Sequence, residues 1–213
     1  MSDTINYARL QEYLETLVPP RDAELVRMEE YAREHDFPII GPTAGYVCYQ
    51  TARLIGARRV YELGSGYGYS TAWFARAVHE HGGGEVHHVV WDEKLSSMAR
   101  QHLDALGYGD LIRYHVGEAV AALRTATGPF DLIFMDIQKS GYPGALPFIE
   151  AQLRPGGVLL VDNVLWSGRV MDEEATDADT QAIRQMTQAL VSDPGWLTTI
   201  TPVRDGLLLA YRA

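Results

Sequence analysis

The stretch Val60-Tyr-Glu-Leu-Gly-Ser-Gly-Tyr-Gly-Tyr-Ser70 decides the fold. An apolar strand runs into an acidic residue, then a glycine-rich turn, then the start of a helix. Such a turn lets backbone approach a ligand closely at the carboxyl end of a strand, and Glu62 is placed to accept hydrogen bonds from a ligand's cationic or hydroxyl groups. The pattern therefore points to a nucleotide-like cofactor. A dinucleotide loop spaces its glycines G-x-G-x-x-G and turns a helix N-terminus toward a pyrophosphate. Here the glycines are Gly64, Gly66 and Gly68, so the third comes one residue early and Tyr69 stands in its place. A nicotinamide-dependent oxidoreductase, or a glycine-rich turn with no ligand, stays open as an alternative.

Outward from this loop the chain alternates short apolar strands with amphipathic helices. Strands are expected at Val60 to Leu63, Val86 to Trp91, Ile112 to Val116, Phe130 to Met135 and Val158 to Val161, with helices beginning near Ser70, Glu93, Glu118, Tyr142 and Thr176. This order predicts an α/β fold with a mostly parallel, doubly wound sheet. Leu197 to Val203, Asp205-Gly206 and Leu207 to Tyr211 read instead as a hairpin, which makes the last strand antiparallel. Upstream, Tyr7 to Val18, Asp22 to Glu34 and Thr43 to Ile55 carry apolar positions at helical spacing, the first two separated by Pro19-Pro20. The reading is one domain over 1–213, with a helical lid or dimerisation segment at 1–57 and the α/β core at 58–213. Leu10, Tyr13, Leu14 and Leu17 form an apolar stripe on the first helix, which predicts a homodimer or larger assembly.

The 213 residues and 46% hydrophobic content suffice for a full core. The net charge of -10 opposes the basic footprint that nucleic acid requires, so a small molecule is the expected substrate. No run is apolar enough to span a bilayer and no signal-peptide profile is present, which makes a cytoplasmic enzyme the expectation. The single cysteine, Cys48, lies in an apolar stretch and reads as a buried, inert thiol.

Chemistry gathers at the ends of the predicted strands. Asp92 closes the second strand, where an acid can bind ribose hydroxyls or cap the next helix. Gly117-Glu118-Ala119 follows the third strand, where an adenine edge would lie; Glu118 could equally serve the first turn of a helix. Asp136 ends the fourth strand, and Asp162-Asn163 end the fifth. Adjacent parallel strands would bring these oxygen donors together beside the glycine loop, a set suited to a hard cation such as Mg²⁺. Lys139 stands three residues beyond Asp136, in a chain with 16 arginines and 2 lysines. A lysine there suggests a need for a group that can give up its proton, which guanidinium cannot do.

The E-x-G-x-G-x-G loop resembles the S-adenosylmethionine loop of class I methyltransferases. Together with M-D-I-Q-K-S-G-Y and V-D-N-V-L-W-S-G-R-V, it makes the chain similar to the cation-dependent O-methyltransferases of catechol and caffeoyl-CoA type, in their small bacterial form. The resemblance covers roughly Arg21 to Ala213. It implies seven strands in the order 3-2-1-4-5-7-6, Asp136, Asp162 and Asn163 as metal ligands, and Lys139 as catalytic base. It also implies S-adenosylmethionine contacts at Ile40, Glu62, Gly64, Ser70, Asp92, Gly117, Glu118, Ala119 and Asp136, and a substrate-side wall at Leu165-Trp166. The expected reaction is methyl transfer to one hydroxyl of a catechol-like small molecule. Gln138 departs from the pattern, since many members carry an acid there. A non-catalytic protein that keeps the cofactor pocket is a further alternative.

Overall fold

Alternation along the strands divides the apolar residues into two layers. In β1 (Arg59–Leu63), Val60 joins the core on one side of the sheet while Tyr61 and Leu63 join the core on the other. The computed structural model describes residues 6–213. Its sheet contains β1, β2 (Glu85–Val90), β3 (Ile112–Val116), β4 (Phe130–Met135), β5 (Leu153–Val161), β6 (Trp196–Thr201) and β7 (Leu207–Arg212), in the order 3-2-1-4-5-7-6. β7 runs antiparallel to both β5 and β6, and the other pairings are parallel.

The first core packs Val60, Val86, Leu132, Phe134 and Leu160 against α3 (Gly41–Leu54), α4 (Tyr69–Glu80) and α5 (Glu93–Ala105). The second packs Tyr61, Leu63, Ile133, Met135 and Leu159 against α6 (Ala119–Thr125), α7 (Tyr142–Gln152) and α8 (Ala178–Ser192). α1 (Tyr7–Thr16) and α2 (Ala23–Glu34) precede this sandwich.

Local chemistry sets the helix starts. Asp22, Asp92, Glu118 and Asp177 cap α2, α5, α6 and α8 by accepting backbone N–H bonds with their carboxylates. α4 is entered through Gly68 at φ +94°, a conformation that glycine adopts without steric cost. Several boundaries shift from the sequence expectation, and two of the shifts have a visible cause. β5 begins at Leu153 rather than Val158, because Leu153 pairs with Phe130 across an irregularity that Pro155-Gly156-Gly157 hides from the apolar pattern. α8 begins at Ala178 rather than near Thr176, where the Asp177 cap sets its first turn.

Candidate active site

The glycine loop sits where β1 and β4 run side by side. Gly64 has φ +87°, and a Cβ built there would lie 2.2 Å from the Asp136 carbonyl oxygen, so only glycine fits between the two strand ends. A small cavity is enclosed by this loop and the segment before α3, lined by Phe37, Ile40, Gly64, Gly66, Ser70 and Asp136 among others. Of the expected cofactor residues, Ile40, Gly64, Ser70 and Asp136 thus meet in one place.

Glu62 lies behind that cavity, fully buried. Its Oε2 accepts from the Thr71 hydroxyl, which also touches His88 Nδ1 at 3.1 Å, while its Oε1 has no hydrogen-bond partner among the described residues. Burial is the largest influence on the Glu62 carboxyl and pushes it up to about 7; the nearby hydroxyls of Ser70, Thr71 and Ser65 pull the other way. His88 is pushed down to about 3 by burial, with the nearby Arg100 charge adding to it. Thr71 and His88 escaped the sequence reading, since neither carries a motif signal.

Asp92 and Glu118 both serve as helix caps. One Asp92 oxygen accepts from Lys94 N at 2.6 Å and Leu95 N at 3.2 Å. Glu118 uses both oxygens, accepting from Val120 N at 2.9 Å and Ala121 N at 2.5 Å. Capping and ligand binding are compatible for Asp92, whose second oxygen is in no protein hydrogen bond. For Glu118 the cap is the role visible in the protein itself.

β4 and β5 pair as far as Met135 opposite Val161, so the next residues along, Asp136 and Asp162, are neighbours at the sheet edge. Asp162 is buried, and desolvation followed by the nearby Asp136 charge raises its carboxyl to about 7. Asn163 follows at φ +59°, a left-handed turn that Asn tolerates better than most residues. Lys139, also buried, donates to Asp136 Oδ1 at 2.7 Å. Its ammonium lies 5.1 Å from the centre of the Tyr142 ring and 5.9 Å from that of Trp166. The Tyr142 hydroxyl donates to the Asp162 carbonyl at 2.9 Å, which fixes this aromatic floor to the strand end. Cys48 is buried beneath the group, and burial first, then the charges of Asp162, Glu62 and Asp136, hold its thiol protonated.

Two carboxylates and an amide carbonyl are the donor set of a hard cation. Asp136 and Asp162 repel each other, and Lys139 bonds only the first of them. The residues present fit a divalent cation. Among the described residues no group of three or more His, Cys, Asp and Glu is placed to hold a metal ion; Asn163 is not of those residue types.

Against Asp162 and Asn163 opens a cleft of about 960 Å³, walled by Tyr7 and Gln11 of α1, Leu165, Met171 and Arg204 among others, whereas Asp136 faces the small cavity at the glycine loop and Lys139 and Trp166 line neither space. The β6–β7 turn organises it. Tyr7 Oη donates to the carbonyls of Pro202 and Arg204 at 2.9 and 2.7 Å, Arg204 Nη1 donates to Ile39 O at 2.9 Å, and Asp205 Oδ1 accepts from Ser167 N at 2.5 Å. From sequence, Asp205-Gly206 read as a hairpin turn and nothing more; its role in the cleft depends on contacts more than 160 residues away in the chain for Ile39 and Tyr7.

Known proteins resemble this chain in sequence and fold. A family model described as O-methyltransferase matches residues 24–213. A catechol O-methyltransferase of Niastella koreensis is 28% identical over 215 residues, covering 96% of each chain. One from Mycobacterium tuberculosis is 37% identical over 145 residues, covering 68% of this chain and 64% of that protein. Among solved structures, the O-methyltransferase TomG of Streptomyces achromogenes, involved in tomaymycin synthesis and solved with SAM, superposes with a TM-score of 0.86 at 29% identity, covering 99% of this chain and 100% of that one. An O-methyltransferase of Bacillus cereus in complex with SAH gives 0.86 at 27% identity, covering 96% of this chain and 97% of that one. An oxidoreductase reading of the glycine loop is thereby set aside: the chain belongs to the O-methyltransferase family.

Proposed function

We propose that this protein transfers the methyl group of S-adenosylmethionine to one hydroxyl of a catechol-like acceptor, assisted by a divalent cation such as Mg²⁺. The observation that carries the reading is the Asp136–Asp162 pair at the sheet edge, with Lys139 against Asp136, the small cavity of the glycine loop on the Asp136 side and an open cleft reaching Asp162. The names and bound molecules of the relatives support the donor and the acceptor class.

The cofactor's methionine end would lie against Ile40, Gly64 and Ser70, its ribose at Asp92, and its adenine beside Gly117, Glu118 and Ala119. Glu62 supports the loop from behind and has one free oxygen to offer. A cation held by Asp136, Asp162 and Asn163 would ease ionisation of an acceptor hydroxyl, which in a free phenol has a pKa of about 10. Lys139, once its ammonium has released to solvent the proton it shares with Asp136, would take the hydroxyl proton at Nζ, while Trp166 and Tyr142 exclude water around it. The cleft wall fixes the acceptor ring in line with the methyl, and such orientation supplies much of the rate.

We also propose a homodimer formed through α1. Leu10 and Leu14 are half-buried against the protein itself, whereas Tyr13 and Leu17 remain 60% and 59% exposed.

The test is a panel of catechols incubated with S-adenosylmethionine, with and without EDTA, and products identified by mass spectrometry. Methylation of catechols that EDTA abolishes is expected. Full turnover in excess EDTA removes the cation, and cofactor binding without any turnover favours a non-catalytic binding protein.

A further inference from the structure

The segment that walls the cleft is unusual in its backbone. Trp166, Ser167 and Gly168 are successive left-handed residues, at φ +47°, +51° and +83°. Two of them carry side chains, and each such residue costs of order 1 kcal/mol unless its surroundings hold it in place. From the front, the hold is the turn at 205–206, where Ser167 N donates to the Asp205 carboxylate and Leu165 N and Val164 N donate to the carbonyls of Asp205 and Gly206. Behind the segment lies a groove of about 600 Å³ that shares Leu165 with the cleft, so the wall is only one layer thick.

From behind, Arg169 ties the segment to Asp177 and Thr180 at the start of α8, and one side chain further along that helix gathers the segment's backbone. The Arg184 Nε donates to Val170 O at 3.0 Å, Nη1 to Ala175 O at 2.9 Å, and Nη2 to Arg169 O at 3.0 Å and to Asp172 O. One guanidinium thus gathers four carbonyls of an irregular stretch that has no strand partner. Lysine cannot imitate this, because its donors radiate from a single point rather than a planar fork.

We infer that Arg184 is a positioning residue for the acceptor: it fixes the 166–175 segment so that the Trp166 indole stays over Lys139 and the cleft keeps one shape. The inference rests on the proposed reading of the cleft as the acceptor site. Arg184 itself lies in the rear groove and is not among the residues lining the cleft. Its effect must therefore reach the reaction through Trp166 and Leu165.

The experiment compares wild type with Arg184→Met and Arg184→Lys by hydrogen–deuterium exchange and by steady-state kinetics with an unsymmetrical catechol. In both variants, uptake is expected to rise in peptides covering 165–176 and to stay unchanged at 62–72. Acceptor KM should rise about tenfold, the scale of one lost hydrogen bond to a charged group. The ratio of the two methylated isomers should move toward unity, and S-adenosylmethionine affinity should not change. If Arg184→Met does not fold, Arg184→Lys decides alone. Unaltered uptake at 165–176 with an unaltered isomer ratio overturns the inference, as does a uniform rise in uptake along the whole chain. Inactivity of wild type on every catechol would count against the proposed acceptor instead, and the exchange comparison would still judge the role of Arg184 in fixing the wall.

Discussion

Lys139 is where charge and proton transfer can be separated. Arginine there keeps the positive charge beside Asp136 but cannot release a proton. Lys139→Arg is expected to lose about 10²- to 10⁴-fold in kcat, the range of general base catalysis, with cofactor affinity unchanged. Equal kcat for arginine and lysine across pH 6 to 9 would reduce the residue to charge screening. Asp162 gives a second expectation. Its carboxyl is raised to about 7, and a cation must displace the proton it holds below that pH. Cation affinity should therefore fall as pH drops below about 7, by up to roughly tenfold per unit, and level off above it. Calorimetric titration with Mg²⁺ or Mn²⁺ between pH 6 and 8 measures this; a flat profile would contradict it.

The elements themselves can be tested through a pair of glycines. Gly64 and Gly82 have nearly the same φ, +87° and +84°, but an added Cβ at Gly64 meets the Asp136 carbonyl at 2.2 Å whereas at Gly82 it meets nothing within 4 Å. Gly82→Ala should cost only backbone strain, about 1 kcal/mol. Gly64→Ala should cost more, and should also abolish cofactor binding, as read by thermal melts with and without S-adenosylmethionine. Equal losses would mean that the crowding at the strand ends is relieved by relaxation. This pair also shows what was legible beforehand. The glycine spacing identified the loop, and the period-2 and period-3.6 patterns located the strands and helices, because burial on a defined face leaves a local trace. Asp136, Asp162 and Asn163 were legible as a group because register follows from adjacent parallel strands. Tyr7, Gln11, Arg184, Arg204 and Thr71 were not, since each acts through contacts between segments distant in the chain that leave no periodicity.

At the scale of the whole molecule, burial of Glu62 links stability to pH. Its carboxyl is raised from the ordinary glutamate range to about 7, so the native state binds that proton more tightly than the unfolded chain does. The stability it contributes is fully present below the ordinary glutamate pKa and is lost as pH rises through about 7, in total of the order of 3 kcal/mol. Asp162 adds a slope of the same sign in that window. Glu62→Gln should flatten the wild-type fall in ligand-free stability between pH 5 and 7.5 without removing it. Urea titrations across that range check the sign, and identical slopes would show that Glu62 is charged in the folded protein. For the assembly, light scattering at micromolar concentration should give twice the 23.7 kDa chain mass, and Tyr13→Glu with Leu17→Glu should halve it. A monomeric wild type would leave α1 as a lid alone.

The β6–β7 turn has a consequence for the order in which the protein is made. It binds Tyr7 across 195 and 197 residues and also holds Ile39 and Ser167. A ribosome will therefore have translated the glycine loop, both acidic strand ends and Lys139 well before the turn that closes the cleft around them. Until that hairpin emerges and β7 slots between β5 and β6, the nascent chain holds the glycine loop and the strand ends but not the finished cleft. The part of the molecule that would select what is methylated is thus assembled after the part that would bind the methyl donor.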